Sequence, residues 1–292
     1  ADSLHIGHFF ALMIFRYLQE AGHKGILIIG GATALIPDPT GKKELRKILT
    51  KEEVNKNIKE VETLCRRFII CDGDNPAIIL NNADWLLPKN YVDFMREIGI
   101  HFNVNKMLST EVYKNRLEKG GLTFLEMGYM LMQAYDFVYL NRKYNCILQI
   151  GGSDQWANIV AGADLGRKIV KDELLGLTCP LLTNNEGEKM GKTTTGALWV
   201  AREKTTVYDF YQYWMNILDT DVESMLRFLT RIDLKEIKKM CRDDIVNAKK
   251  RMAFEVTKII HGEGEALEAK RISEALFEKQ NMTEDMPTIV LD

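Results

Sequence analysis

Apolar residues mark out the elements of this chain before any motif does. Phe9, Leu12, Met13 and Tyr17 recur at near-helical spacing, and Gly22 follows where a helix C-terminus favours glycine. The pattern predicts a helix over 5–20. Gly25-Ile26-Leu27-Ile28-Ile29-Gly30-Gly31 is a short, continuous apolar run closed by glycines, which reads as a buried parallel strand. After the turn-rich loop Pro37-Asp38-Pro39-Thr40-Gly41, a charged amphipathic helix is predicted over 51–67. Ile78-Ile79-Leu80 gives a second strand, and 84–99 is mostly helical with an interruption at Pro88. A helix rich in Met and aromatics covers 124–141. Another apolar run, 146–150, ends at Gly151-Gly152, with a helix beginning near Ser153 as N-cap and Asp154 in its first turn.

Strands alternating with helices, with glycines at the strand ends, predict an α/β class: a doubly wound, Rossmann-like parallel sheet. The character changes near Lys204. From Val207 on there are helical patterns and few strand signals, with Asp219, Asp221, Asp233 and Asp243 near helix starts. The expected organisation is a catalytic domain over 1–203, a small all-α domain over 204–280, and a linker over 281–292 that carries Pro287. The chain opens at Ala1 and is already in a helix-opening motif by His5, so a strand upstream of it is expected.

Composition narrows the classes. The 292 residues are 46% hydrophobic and 27% charged, enough for a large core, and the net charge of −2 argues against polyanion binding by the chain as a whole. Cys65, Cys71, Cys146, Cys179 and Cys241 form no C-x-x-C pair and no metal spacing with the histidines, so reduced cysteines and no metal site are expected. No apolar run reaches about 20 residues, and no signal peptide opens the chain; a cytoplasmic protein is expected.

The chemistry begins at the helix starts. His5-Ile6-Gly7-His8 places imidazoles three residues apart on one helical face, with Gly7 leaving room for a ligand near the backbone. The helix N-terminus adds free N–H groups and a positive dipole end. Such donors suit a triphosphate whose α-phosphorus is attacked. A chance tetrapeptide or a metal pair is the alternative. Lys189-Met190-Gly191-Lys192-Thr193 follows a turn at Asn184-Asn185-Glu186-Gly187 and offers two lysines for the β- and γ-phosphates; alone it reads better as a solvated basic turn. The order of the two motifs, with parallel-sheet units between them, resembles the class I aminoacyl-tRNA synthetases and their signatures HIGH and KMSKS. The first matches letter for letter; the second departs at Gly191 and Thr193, a variant of the tyrosyl branch.

Tyr129, Gln133 and Asp136 fall on one face of the 124–141 helix at i, i+4 and i+7. Buried without partners they would be costly, and a polar ligand along that face would satisfy them; a partly exposed amphipathic helix is the other reading. With Leu148-Gln149-Ile150-Gly151-Gly152-Ser153-Asp154-Gln155-Trp156, Gly30-Gly31-Ala32-Thr33, Asp38-Pro39 and Asn81-Asn82-Ala83-Asp84-Trp85, the chain resembles the bacterial-type tyrosyl-tRNA synthetases over nearly its whole length, lacking their extreme N-terminus and C-terminal RNA-binding domain.

That resemblance implies roles at matching positions. Tyr129, Gln133, Gln149 and Asp38 hold the tyrosine ammonium and backbone end, with Thr33 nearby, and Asp136 accepts from the phenol. Asp154 and Gln155 meet the ribose and the substrate carboxylate, and Gly152 admits the nucleotide. Lys42 and Arg46 join Lys189, Lys192 and Thr193 around pyrophosphate, while His5, Gly7 and His8 handle ATP. It further implies L-tyrosine, ATP with its Mg2+, and tRNA-Tyr as substrates, and a homodimer through an inserted region at about 85–150 with Phe124 as a member, although by its own pattern Phe124 reads equally as ordinary core. A chain of this extent is expected to form adenylate but to charge tRNA poorly. Ala34 and Pro37 stand where the family has glycines. A tryptophanyl enzyme, a small nucleotidylyltransferase and a non-enzymatic RNA-binding relative are the competing readings. Asp136, the distant lysine loop and the intact first motif disfavour them in turn.

Overall fold

The computed structural model describes residues 3–277 apart from 37, 40–48, 119, 188 and 194–195. Contacts divide the chain into two units. One holds residues 14–181; the other holds 3–13 together with the chain from Leu182 on. The first helix, α1 (Ile6–Glu20), starts in the second unit and passes into the first at Ile14.

In the first unit, α1 ends before Gly22, whose φ of +92° is the left-handed turn that glycine enters without cost. The chain then passes Gly25, where a Cβ would lie 2.3 Å from the Phe15 ring, and enters β1 (Ile26–Ile29). The helix α2 (Lys51–Arg66) opens on a reciprocal capping box between Thr50 and Glu53. It leads to β2 (Ile78–Asn81), which pairs in parallel with β1, Ile26 opposite Ile78. The stretch expected as one interrupted helix is two, α3 (Ala83–Leu86) and α4 (Tyr91–Glu97); Asn90 caps the second after the break at Pro88. The helices α5 (Val104–Leu108) and α6 (Glu111–Glu118) precede the long α7 (Phe124–Tyr144), which runs beyond the predicted end at Asn141 and stops at Asn145 in the left-handed region.

The next strand, β3 (Leu148–Gly152), is shifted from the predicted 146–150: Gly151 and Gly152 belong to it instead of closing it. Ser153 is not an N-cap. It lies in a single 3-10 turn, Ser153–Gln155, before α8 (Trp156–Ile169). Extended backbone at Gly152 carries the strand straight into that turn, so the helix starts later than the capping residue implied. After α8, β4 (Leu175–Cys179) pairs in parallel with β3. Its exposed Leu175 and Leu177 break the expected strand pattern, which is why the sequence did not announce it. The core of this unit joins Ala32, Trp85, Ile98, Ala134, Tyr135 and Val138, so the inward face of α7 is a packing surface that also carries the buried Asp136.

In the second unit, the two-residue strands β5 (Lys192–Thr193) and β6 (Gly196–Ala197) form an antiparallel pair. Among the described residues five helices follow: α9 (Val207–Met215), α10 (Asp219–Leu229), α11 (Leu234–Asp243), α12 (Ile245–His261) and α13 (Glu263–Phe277). Asp233 caps α11, and α12 is capped by Asp244, one residue beyond the aspartate expected there. Phe210, Trp214, Val222, Met225, Leu226, Met252 and Val256 are fully buried among these helices. No helix among the described residues is long and apolar enough to cross a membrane.

Candidate active site

Asp136 anchors a buried polar cluster in the first unit. Its side chain is 3% exposed, on the inward face of α7. One carboxylate oxygen accepts the Trp85 indole N–H at 2.7 Å and the other accepts the Asn82 amide at 3.0 Å. Burial pushes its carboxyl up to about 7, against the pull of the Asn82 and Trp85 hydrogen bonds. Two donors on a buried carboxylate still leave lone pairs for a third, and a phenol supplies one.

Asn82 is the hub behind it. Its amide also donates to Thr33 Oγ1 at 2.9 Å, and its carbonyl oxygen accepts the Ala32 N–H at 2.9 Å. Asn81 beside it accepts from Gly31 N–H at 3.1 Å, where a Cβ would sit 2.1 Å from the same oxygen. The glycines ending β1 therefore let the 30–35 turn close onto the 81–85 segment. The sequence offers Asn82 and Trp85 only as members of the block Asn81-Asn82-Ala83-Asp84-Trp85. Neither carried a role, because nothing in their spacing from Asp136 shows that β1, β2 and α7 bring them together.

Along the same face, Tyr129 and Gln133 are half-buried, two turns and one turn before Asp136 respectively. The Gln149 side-chain oxygen on β3 is buried and has no hydrogen-bond partner among the described residues, so it can still accept a donor. Gln155 donates to Asp38 at 3.1 Å and accepts from Asn158 at 3.1 Å, so three polar side chains form one wall. A Cβ on Gly152 would lie 2.8 Å from Asp154 Oδ1 and 3.2 Å from Leu181, so a larger residue there would push these two side chains aside. A cavity of about 920 Å³ borders this wall rather than Asp136. It is lined among others by Pro39, Lys106, Glu111, Asp154, Trp156 and Lys168.

In the second unit the two phosphate motifs are joined through their backbones. His5 and His8 stack with ring centroids 3.8 Å apart. The His5 Nδ1 accepts the Gly7 N–H at 3.1 Å and the His8 Nδ1 accepts the His5 N–H at 3.2 Å. With each Nδ1 an acceptor, the neutral rings carry their protons on Nε2 and present N–H donors. Gly7 permits this: a Cβ there would approach the His5 ring at 3.1 Å. Ile6 N–H donates to Leu198 O at 3.1 Å, and Leu198 N–H to Gly191 O at 2.6 Å. Gly191 has φ +79°, and a Cβ on it would meet Ile6 Cγ2 at 2.5 Å. The departure from the KMSKS letters at this position thus fits a backbone only glycine adopts freely. Lys189 is exposed in an antiparallel bridge with Thr183, and Lys192 and Thr193 enter β5. Lys42, Arg46 and Pro37 lie outside the described residues, whereas Ala34 sits exposed in a 3-10 turn over Thr33–Leu35.

Parallel strand pairs flanked by helices, a histidine helix start bonded to a glycine-bearing lysine loop, and a buried acid held by Asn82 and Trp85 define an aminoacyl-tRNA synthetase of class I. The chain belongs to the family described as tRNA synthetases class I (W and Y), which it matches over residues 1–278. A tyrosine–tRNA ligase of Clostridium perfringens is 52% identical over 291 residues, covering 99% of this chain and 71% of that protein. One from Clostridium kluyveri is 53% identical over 295 residues, with coverage of 100% and 72%. Among solved structures, a C-terminally truncated mitochondrial tyrosyl-tRNA synthetase of Aspergillus nidulans is similar with TM-score 0.81 and 27% identity, over 95% of this chain and 83% of that one. A tyrosyl-tRNA synthetase of Archaeoglobus fulgidus, complexed with L-tyrosine, shares the fold at TM-score 0.65 and 16% identity, covering 92% and 87%.

Proposed function

We infer that this chain is a tyrosine–tRNA ligase that first activates L-tyrosine with ATP and then transfers it to the terminal adenosine of tRNA-Tyr. The observation that carries the choice of amino acid is the buried Asp136 carboxylate, held by Asn82 and Trp85 with acceptor capacity left for a phenolic O–H. Phenylalanine would leave that capacity unused in a buried site, and the unpaired acceptor makes it the poorer substrate. At the other end, Gln149, Tyr129, Gln133 and Asp38 receive the ammonium, with Thr33 behind them through Asn82, and Gln155 positions the carboxylate.

That carboxylate is the nucleophile. One of its oxygens forms a bond to the α-phosphorus of ATP as the bond to the bridging oxygen breaks, giving tyrosyl-adenylate and pyrophosphate. The chain contributes positioning and fixed donors. His5 and His8 present Nε2–H groups and Gly7 opens the helix N-terminus to the phosphates. Lys189, Lys192 and Thr193, with Lys42 and Arg46, stabilise the pyrophosphate as it leaves, and Asp154 and Gly152 take the ribose side. Mg2+ accompanies ATP and shares its phosphate charge. In the second step a hydroxyl of the terminal adenosine attacks the activated carbonyl and AMP leaves. The exposed Trp156 ring with Lys106 and Lys168 around the neighbouring cavity suits a single-stranded, negatively charged end. A homodimer through the 85–150 region and a cytoplasmic location complete the reading.

Pyrophosphate exchange measured with tyrosine, phenylalanine and tryptophan tests it. Tyrosine alone supports exchange in the parent, and Asp136→Ala loses the preference over phenylalanine. A variant that kept its preference would sink the pocket assignment.

A further inference from the structure

The lysine loop is tied to the helices that follow it, at two places. Asp221, 2% exposed on α10, accepts the Asn185 N–H at 2.8 Å, and the Asn185 amide donates to Thr220 O at 2.8 Å. That fixes the turn just before Lys189. The second tie falls between the two lysines: the hydroxyl of Tyr213, on α9, accepts the Gly191 N–H at 2.7 Å and directs its own proton to Met190 Sδ at 3.9 Å.

Tyr213 stands at the head of a relay. Gly191 O receives Leu198 N–H, and Leu198 O receives Ile6 N–H in the first turn of the helix that carries His8. A single phenol thus sets the height of a left-handed glycine whose backbone connects both phosphate motifs. Burial raises the phenol's pKa, ahead of the opposing Gly191 hydrogen bond, so it remains a protonated donor as well as an acceptor. The packing of α9 does not require that hydroxyl. Phe210, Tyr211 and Trp214 fill the core side at 0–1% exposure, and a phenylalanine at 213 would occupy the same ring volume. What it would lack is an acceptor for Gly191.

We propose that Tyr213 is a positioning residue for adenylate formation, holding the lysine loop in register with the histidine motif, with Asp221 as its second anchor. The role rests on the reading of Lys189 and Lys192 as the pyrophosphate-binding lysines. Because the loop acts on the leaving phosphates, its register bears on the transition state and not on tyrosine binding.

The test is single-turnover formation of tyrosyl-adenylate by Tyr213→Phe, alongside its melting temperature and its tyrosine affinity. The expected result is a rate at saturating ATP lower by about ten-fold, the equivalent of one lost hydrogen bond. Tyrosine affinity stays at the parental value, and the melting temperature falls by no more than one unmade hydrogen bond explains. A rate within about two-fold of the parent overturns the proposal. So does a loss matched by parallel falls in melting temperature and tyrosine affinity, which marks a purely structural hydroxyl. Lys192→Ala run beside it separates the two layers. If it is slow while Tyr213→Phe is not, only the positioning role fails; if it is as fast as the parent, the reading of the loop fails as well.

Discussion

At the scale of the residue, Asp136 shows how burial and hydrogen bonding together tune one group. Its carboxyl sits at about 7 because desolvation outweighs the donors from Asn82 and Trp85. The folded state therefore holds a proton, between the ordinary carboxylate range and that value, which the unfolded chain has released. Stability falls as pH rises through this window, the reverse of an ion-paired aspartate. Urea unfolding at pH 5 and pH 8 checks this: Asp136→Asn should gain on the parent between the two values, because the amide removes the titration. An unchanged difference between parent and variant would contradict the raised carboxyl. The identity of Asp136 and its helical spacing from Tyr129 and Gln133 were legible in the sequence. Its two protein donors were not, because they come from a segment about 50 positions away whose approach depends on strand pairing.

At the scale of the element, α7 is a scaffold that also carries Asp136, so its start must be fixed. Thr123 and Glu126 form a reciprocal capping box, and the same Glu126 carboxylate pairs with Arg116 at 2.8 Å, both side chains nearly inaccessible at 2% and 6% exposure. Burial alone would raise the glutamate's pKa, but the Thr123 backbone and Arg116 hydrogen bonds outweigh it and keep the carboxylate ionised. Arg116→Met would strand that charge and should cost about 3–5 kcal/mol in urea unfolding. Replacing Glu126 with Gln in the same chain should recover part of the loss, since the stranded charge is then gone. If the double variant is no more stable than the single, the pair acts through packing instead. The helix itself was readable from its apolar spacing, whereas this brace was not: Arg116 reads as an ordinary exposed cation until the α6–α7 turn folds it back.

At the scale of the whole molecule, apolar side chains remain uncovered on the stretch 85–150. Phe124, in the first turn of α7, is 68% exposed, and Ile100 is 76% exposed. Large apolar groups left in water on that region are what a second copy of the chain would cover. Phe124→Asp should therefore shift the chain from dimer to monomer in sedimentation at micromolar concentration, with helical content unchanged. A parent that sediments as a monomer, or a variant that stays dimeric, would remove Phe124 from the interface.

The sequence by itself determined the class of the protein. The local patterns that encode α1, β1, α7 and the helices after Val207 are short-range, and the two phosphate motifs are contiguous runs whose chemistry follows from residue type. What only the tertiary structure decided is everything that depends on two distant segments meeting. Asn82 behind Asp136, the bond between Gln155 and Asp38, and the relay from Tyr213 through Gly191 and Leu198 to Ile6 all belong to that set. The physical reason is that periodicity reports which face of an element is buried. Which partner covers that face is set by strand register and loop closure, and these are properties of the folded chain.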